Sequence, residues 1–506
     1  MADKDYLSSN LASVAQRYPQ LSQKLESLAD SEQINVTESA SGTPTAVVKM
    51  PDGKEKRLYS RRDPRRDAAQ WAESLEIPPA TTVALLGVGL GYQLEELLRL
   101  HKDKLSGVWC FEHSFEMFRE MLRWRDWRKV IEDPTVEMLV GVTEAEFRSE
   151  AASSFQQIIV NGLEIIEYGP SVELDPNWYQ QRAENIGDLV RQWTAEMITV
   201  MERGKLFQTN MLRNLATVAD SYLLRDVGES LRGKPAILVS AGPSLDKNAH
   251  LLTQAKGMIP IISVDTSLRI LQKHGVVPDA AVSIDALGMS TRHFEGVDGL
   301  EGIPLLYDLE ITPDVVGSYS GPRILIGNQK PQFYSWLEEV TGPLEGLTKG
   351  LTVAQAAFLV LAHSGASPII LVGQDLSFER EGGRTHAEGA AFQGRFEPGE
   401  GEKGKWEDPL KPEGLHDVHI LQVPANDGGT VPTTYALFAY LKRLEDDIAA
   451  TGANVINATA GGARIAGTQV ADLEGVLTEY LPAAKPFAGL LRGCVKSLYP
   501  GQTSAH

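Results

Sequence analysis

The chain is poor in cysteine: its 506 residues include two, Cys110 and Cys494. So low a count excludes a disulfide-stapled fold and a cysteine-based zinc site, and it fits a reducing compartment. Nothing in the sequence approaches the roughly eighteen consecutive apolar residues of a membrane span. The N-terminal stretch MADKDYLSSNLASVAQRYPQ lacks the apolar core of a signal peptide. A cytoplasmic protein is therefore expected. Familiar catalytic signatures are missing too. There is no GxxxxGK[ST] phosphate loop, no GxSxG nucleophile elbow, no Ser-His-Asp order and no strand-end DxD of the metal-dependent sugar transferases. Positive charge is in deficit, because 48 Lys and Arg against 67 Asp and Glu leave a net charge of −19. An acidic chain repels nucleic acid and anionic membranes, so neither is expected as a partner. The one basic run, KEKRLYSRRDPRR at 54–66, reads as a solvated loop.

What is present is the rhythm of an α/β protein of several domains. After a mixed or helical segment over 1–75, TTVALLGVGLGYQLEELLRL begins at Thr81. It reads as an apolar strand, a glycine turn and a helix opening near Gly91. VWCFEHSFEMFREML, from Val108, repeats the pattern, which implies a Rossmann-like parallel-sheet domain over 76–170. Residues 171–233 carry helical spacing with few breakers and read as a connector. A larger α/β domain is expected over 234–470, then a helical tail over 471–506. Its strands read as AILVS, MIPIISVD, DAAVSID, IPLLYD, RILIG, PIILVGQD and NVINAT. Near-continuous apolar runs of this kind suit parallel strands covered on both faces. Residues 379–430 are glycine-rich and polar and read as a long loop.

Candidate chemistry gathers at the strand ends. Gly242, Pro243 and Ser244 follow the AILVS strand, where a glycine turn and a helix N-terminus offer free amides to a phosphate. Asp265, Asp285, Asp308 and Asp375 each close a strand, and ligands of open parallel sheets bind outside the carboxyl ends. Asp265 lies 23 residues beyond Gly242, where an acid reaches a nucleotide ribose. Each of these aspartates also suits a helix cap. His386 sits in QDLSFEREGGRTHAEG, whose glycines suggest a mobile lid carrying a base. Asp427, in the NDGGT turn, is a second candidate base. Gly87, Gly89 and Gly91 with Glu112 imitate an S-adenosylmethionine site, with a packing turn as the alternative.

AILVSAGPSLDKN together with DAAVSID and IILVGQD resembles the motility-associated factor (Maf) flagellin glycosyltransferases. Their central domain is shared with an archaeal 6-hydroxymethylpterin diphosphokinase. LLGVGLGYQLEELL, FEHSFEMFREML, GQDLSF, the THAEG loop, NDGGTVPTTYALFAYL and NATAGGARIAG extend the resemblance over roughly residues 80–470. The central domain is similar, more distantly, to bacterial sialyltransferases that use CMP-sialic acid. That similarity implies a donor site at Gly242, Pro243, Ser244, Asp265, Thr266, Asp285, Gly350 and Thr352. Two positions depart from it. Ala241 stands where those enzymes have a polar residue, and the stretch 427–429 lacks their catalytic histidine.

The resemblance implies transfer of a pseudaminic- or legionaminic-type sugar from its CMP donor to Ser or Thr of flagellin, with inversion and without metal or other cofactor. His386 or Asp427 would act as base, with Asp375 beside the donor turn. The alternatives are an ATP-dependent pterin diphosphokinase, with Asp265 and Asp285 on Mg²⁺, and a non-catalytic flagellin-binding protein.

Overall fold

A computed structural model describes residues 6–491, apart from 229, 328–331, 345–346, 348–351, 382, 400–402 and 408–413. The chain forms two compact units, residues 1–201 and 202–506, and the 39-residue helix Pro176–Asn214 contains the boundary.

The first unit is built on four parallel strands in the order Val136–Val140, Leu105–Glu112, Thr81–Leu86, Leu163–Glu167. Every residue of TTVALL is buried, as expected of a strand covered on both faces. The helices Tyr92–His101 and Phe115–Trp124 follow their strands as the βαβ pattern requires. The sequence reading missed a three-stranded antiparallel sheet within the polar N-terminal segment: Ile34–Glu38, Pro44–Lys49 and Glu55–Arg57. Part of the basic run is thus strand, and part enters the helix Pro64–Glu73, capped by the Asp63 side chain.

Among the described residues, the second unit's main sheet has nine parallel strands. Their spatial order is Gln469–Val470, Val455–Asn457, Ile369–Val372, Ala236–Val239, Ile261–Val264, Ala280–Ser283, Leu305–Tyr307, Arg323–Leu325, Tyr222–Leu223. Alternate side chains feed opposite faces. Ala236 and Leu238 join one core with Ile262, Val264, Ile369 and Leu371, whereas Ile237 and Val239 join the other with Ile261, Ile370 and Val372. Both faces are thus covered, as the unbroken apolar runs predict.

Strand order fixes where a ligand site belongs. From Ala236–Val239 the chain winds outward through the strands at 261, 280, 305 and 323. It then returns to lay Ile369–Val372 on the opposite side of Ala236–Val239. The crevice at the carboxyl ends of those two strands is the topological switch point.

The expected loop over 379–430 is partly a second sheet. Phe396–Pro398, Lys403–Glu407, Leu415–Pro424 and Thr430–Thr434 pair antiparallel. Its strands bury few side chains, Phe396 and Ile420 among them, which is why no apolar run announces it.

Candidate functional site

At the switch point the two strand ends are laced together. Gly242 N donates to the Gly373 carbonyl at 2.8 Å, and Ser240 N donates to the Val372 carbonyl at 2.9 Å. Asp375 lies across the following turn, where its carboxylate accepts Ser244 Oγ at 2.6 Å and Ser244 N at 3.2 Å. Only glycine permits this closure, since a Cβ on Gly242 would collide with the Asp375 carboxylate and the Gly373 carbonyl. Asp375 is buried, and desolvation pushes its carboxyl up to about 6 against the Ser244 hydrogen bonds.

This arrangement corrects the expectation of a free amide cradle. The Ser244 amide is occupied by Asp375, and Asp246 N and Lys247 N bond back to the Pro243 and Ser244 carbonyls. The helix that follows is a single α-turn, Leu245–Asn248, continuing as 3₁₀ over Ala249–Ala255. Pro243 and Ser244 are buried, whereas Gly242 stays partly open.

The strand-end aspartates divide by environment. Asp265, 2% exposed, accepts Ser283 Oγ at 2.6 Å and Thr266 N at 2.7 Å. Burial, opposed by those bonds and reinforced by the Asp285 charge, raises it to about 7. Asp285 is half-buried and accepts Leu287 N at 3.0 Å. Asp308 accepts Glu310 N and Ile311 N, each at 3.1 Å, so its carboxylate holds a turn. Thr352 caps the helix Val353–His363 in a reciprocal capping box with Gln355. Gly350 lies outside the described residues.

The His386 loop is pinned rather than free to act as a lid. Ala387 N donates to the Ala241 carbonyl at 2.9 Å. Asp246 accepts Arg384 Nη1 at 2.7 Å and Glu388 N at 3.0 Å. The glycines flanking the loop are thus outweighed by an ion pair and backbone bonds to the Gly242 turn. His386 Nδ1 lies 3.0 Å from Thr385 Oγ1, which also accepts Gly394 N at 3.1 Å and faces the Gly394 carbonyl at 3.2 Å. In the tautomer with Nδ1–H donating to Thr385 Oγ1, Nε2 keeps its lone pair. Burial, with the charge of nearby His293, lowers His386 to about 4, so the ring is neutral at neutral pH.

Asp427 has different surroundings. It sits in an exposed turn and accepts Arg380 Nη2 at 2.9 Å and Nη1 at 3.2 Å. The sequence reading also missed a residue. His293, at the end of Gly288–His293, is 6% exposed, and its ring faces Phe392 of the His386 loop at 5.3 Å between centroids. A lone histidine in STRHFEG looks like surface. Its one signal is that it follows strand-end Asp285 by eight residues.

In the first unit the GxGxG turn is filled by the protein itself. Buried Glu112 accepts Val88 N at 3.1 Å and Gly89 N at 2.9 Å, and Tyr59 OH accepts Leu90 N at 2.7 Å. A Cβ on Gly91 would collide with the Trp127 ring. Of the two sequence readings, the packing turn matches this geometry.

Three comparisons bear on the site. Residues 209–381 match a family model described as 6-hydroxymethylpterin diphosphokinase MptE-like. An uncharacterized protein of Treponema pallidum (strain Nichols) is 24% identical over 310 residues, 59% of this chain. The chain spans about half the length of that relative, 52%. The structure of the Maf glycosyltransferase from Magnetospirillum magneticum AMB-1 superposes with a TM-score of 0.56 at 16% identity, covering 92% of this chain and 74% of that one. The α/β fold expected from the sequence, with its parallel sheets, is thus shared with the Maf glycosyltransferase along most of the chain.

Proposed function

We propose that this chain is a glycosyltransferase that moves a nonulosonic acid, of the pseudaminic or legionaminic type, from its CMP-activated donor to a Ser or Thr hydroxyl of flagellin. One observation carries the reading. In a fold shared with a glycosyltransferase, a neutral histidine is fixed against the switch-point turn, on the carboxyl edge that holds Asp265 and Asp285.

The donor phosphate is placed against the partly exposed backbone of the Gly242 turn. Asp265, Thr266 and Asp285 orient the cytidine ribose, and Thr352 lines the donor. Asp375 touches Ser244 on the inner side of the turn, so its part is to hold that turn. His386 Nε2 takes the acceptor's hydroxyl proton as the new C–O bond forms, and the electron pair of the broken bond leaves with CMP. The reading needs no metal. It places the work in the cytoplasm, and among the described residues no helix is long and apolar enough to cross a membrane.

His386 is favoured over Asp427 as base because Asp427 is tied to Arg380 at the surface. The test is transfer from CMP-nonulosonic acid to purified flagellin, read by intact mass. Expected losses are about 10²–10⁴-fold in rate for His386→Asn, the usual contribution of a general base, and near-wild-type transfer for Asp427→Asn. The reverse pattern assigns the base to Asp427. The family match at 209–381 supports a second reading, an ATP-dependent pterin diphosphokinase. Diphosphate transfer to a hydroxymethylpterin, with no transfer to flagellin, would establish it. Flagellin binding without any turnover would leave a non-catalytic binding protein.

A further inference from the structure

In the first unit the strand Val136–Val140 lies at the edge of its sheet, paired only with Leu105–Glu112. Along an edge strand of a parallel ladder, alternate residues bond inward and face outward. Val108 N donates to the Thr135 carbonyl and Gly141 N to the Glu112 carbonyl, both at 2.8 Å. The odd-numbered residues therefore bond inward, and Val136, Met138 and Val140 turn their amides and carbonyls outward. The protein covers the first part of that outer row itself. Val136 N donates to the Asp133 carbonyl at 3.1 Å. The Tyr18 hydroxyl, between the helices Leu7–Arg17 and Pro19–Glu26, lies 3.3 Å from the Val136 carbonyl and accepts Met138 N at 3.3 Å. There the cover stops. The next two groups, the Met138 carbonyl and the Val140 amide, have no hydrogen-bond partner among the described residues. Met138 and Val140 are 4% and 5% exposed, and both line a cavity of about 450 Å³. Buried backbone polar groups are almost always paired, so these two call for an occupant of that cavity.

The two groups flank Leu139. One residue of a strand running parallel to Val136–Val140 satisfies both, with its own N–H and C=O. That residue falls opposite Leu139, on the face packed against Phe147 and Ala151 of the helix Glu144–Ala151. Glu146 and Glu150 of the same helix, both exposed and on one face of it, line the cavity. The neighbours of that residue fall on the opposite face, with Met138 and Val140, where Leu21 and Phe115 form an apolar wall. Lys24 lies over the Phe115 ring at 5.2 Å, and Arg17 is engaged by Glu137 at 2.7 Å, so the two helix carboxylates outnumber the remaining cation. We propose that this edge binds an extended peptide as an added parallel strand, with a basic residue opposite Leu139 and an apolar residue on either side. The peptide's central N–H bonds to the Met138 carbonyl and its central C=O accepts Val140 N.

The experiment is a titration of the full-length, valine-labelled protein with the blocked peptide acetyl-Thr-Val-Arg-Val-Thr-amide. It is read at the Val140 amide resonance, which Val140→Ile assigns. The expected result is a saturable shift of that resonance. Methylating the peptide's central arginine amide removes the donor to Met138 and should weaken binding about tenfold or more, as when a hydrogen bond is lost and its buried partner is left unpaired. Glutamate in place of that arginine should weaken it as well. Val140→Pro removes the protein's donor at an outward position of an edge strand, where proline is tolerated, and should weaken binding to a similar degree, with a thermal melt to check folding. The methylated peptide gives the same test on the unaltered protein. No saturable shift at millimolar peptide overturns the proposal and leaves the cavity to water. Binding that the methyl group does not weaken overturns it too.

Discussion

Asp375 shows how one side chain ties stability to pH. Its folded carboxyl titrates near 6, raised by burial above the usual carboxylate range. Between that pH and the unfolded value near 3.9, the native state binds a proton that the unfolded state does not. Stability therefore falls as pH rises through this window and levels off above about 6. Asn at 375 keeps an acceptor for Ser244 N and carries no charge to desolvate. The prediction is that Asp375→Asn melts higher than wild type above pH 6 and loses that advantage toward pH 4, as read by thermal melts across pH. An advantage that does not vary with pH would contradict the protonation assigned to Asp375. Asp265, raised to about 7, contributes with the same sign. His386 and His293, lowered to about 4, contribute with the opposite sign, losing stability as pH falls from about 6.5. Only the variant-minus-wild-type difference isolates one group.

At the scale of elements, the His386 loop is the part whose placement decides the chemistry. Arg384 bridges Asp246 and Glu379, and its loss removes the ion pair that clamps the loop to the Gly242 turn. Arg384→Ala should leave the sheet intact, speed hydrogen exchange at the Ala387 and Glu388 amides, and slow transfer roughly tenfold to hundredfold, as small misplacements of a reacting group do. Unchanged exchange at those amides would show that the clamp is redundant. The central strands were legible because each is a short apolar run ending in a turn, as in AILV and IILV. The edge strands Tyr222–Leu223 and Gln469–Val470 are two residues long, too short for any periodicity to show. The antiparallel sheet over 396–434 was hidden because burial alternates along its strands while hydrophobicity does not, with Gly404 and His416 at the more buried positions and Leu415 exposed. The aspartates were legible as strand ends, but their roles were not. That Asp308 holds a turn and Asp375 closes on Ser244 depends on contacts across 131 residues in the second case and two or three in the first. His293 was missed because its burial comes from Phe392, 99 residues away in the chain.

At the scale of the whole molecule, the two parallel-sheet units differ in what their glycine turns do. In the first unit, Glu112 and Tyr59 occupy the turn amides. In the second, Asp375 takes the Ser244 amide and the Gly373 carbonyl the Gly242 amide, and half-buried Asp285 and the His386 loop lie near the same sheet edge. The account therefore places nucleotide binding in residues 202–506 and none in the GxGxG turn. The most direct test is calorimetric titration of the full-length protein with CMP and with ATP, each in EDTA and in Mg²⁺, repeated with Asp265→Asn. The account predicts saturable CMP binding in EDTA that weakens about tenfold or more in the variant, the scale of one lost hydrogen bond to a charged group. ATP binding that requires Mg²⁺, with no affinity for CMP, would contradict it and point to the diphosphokinase.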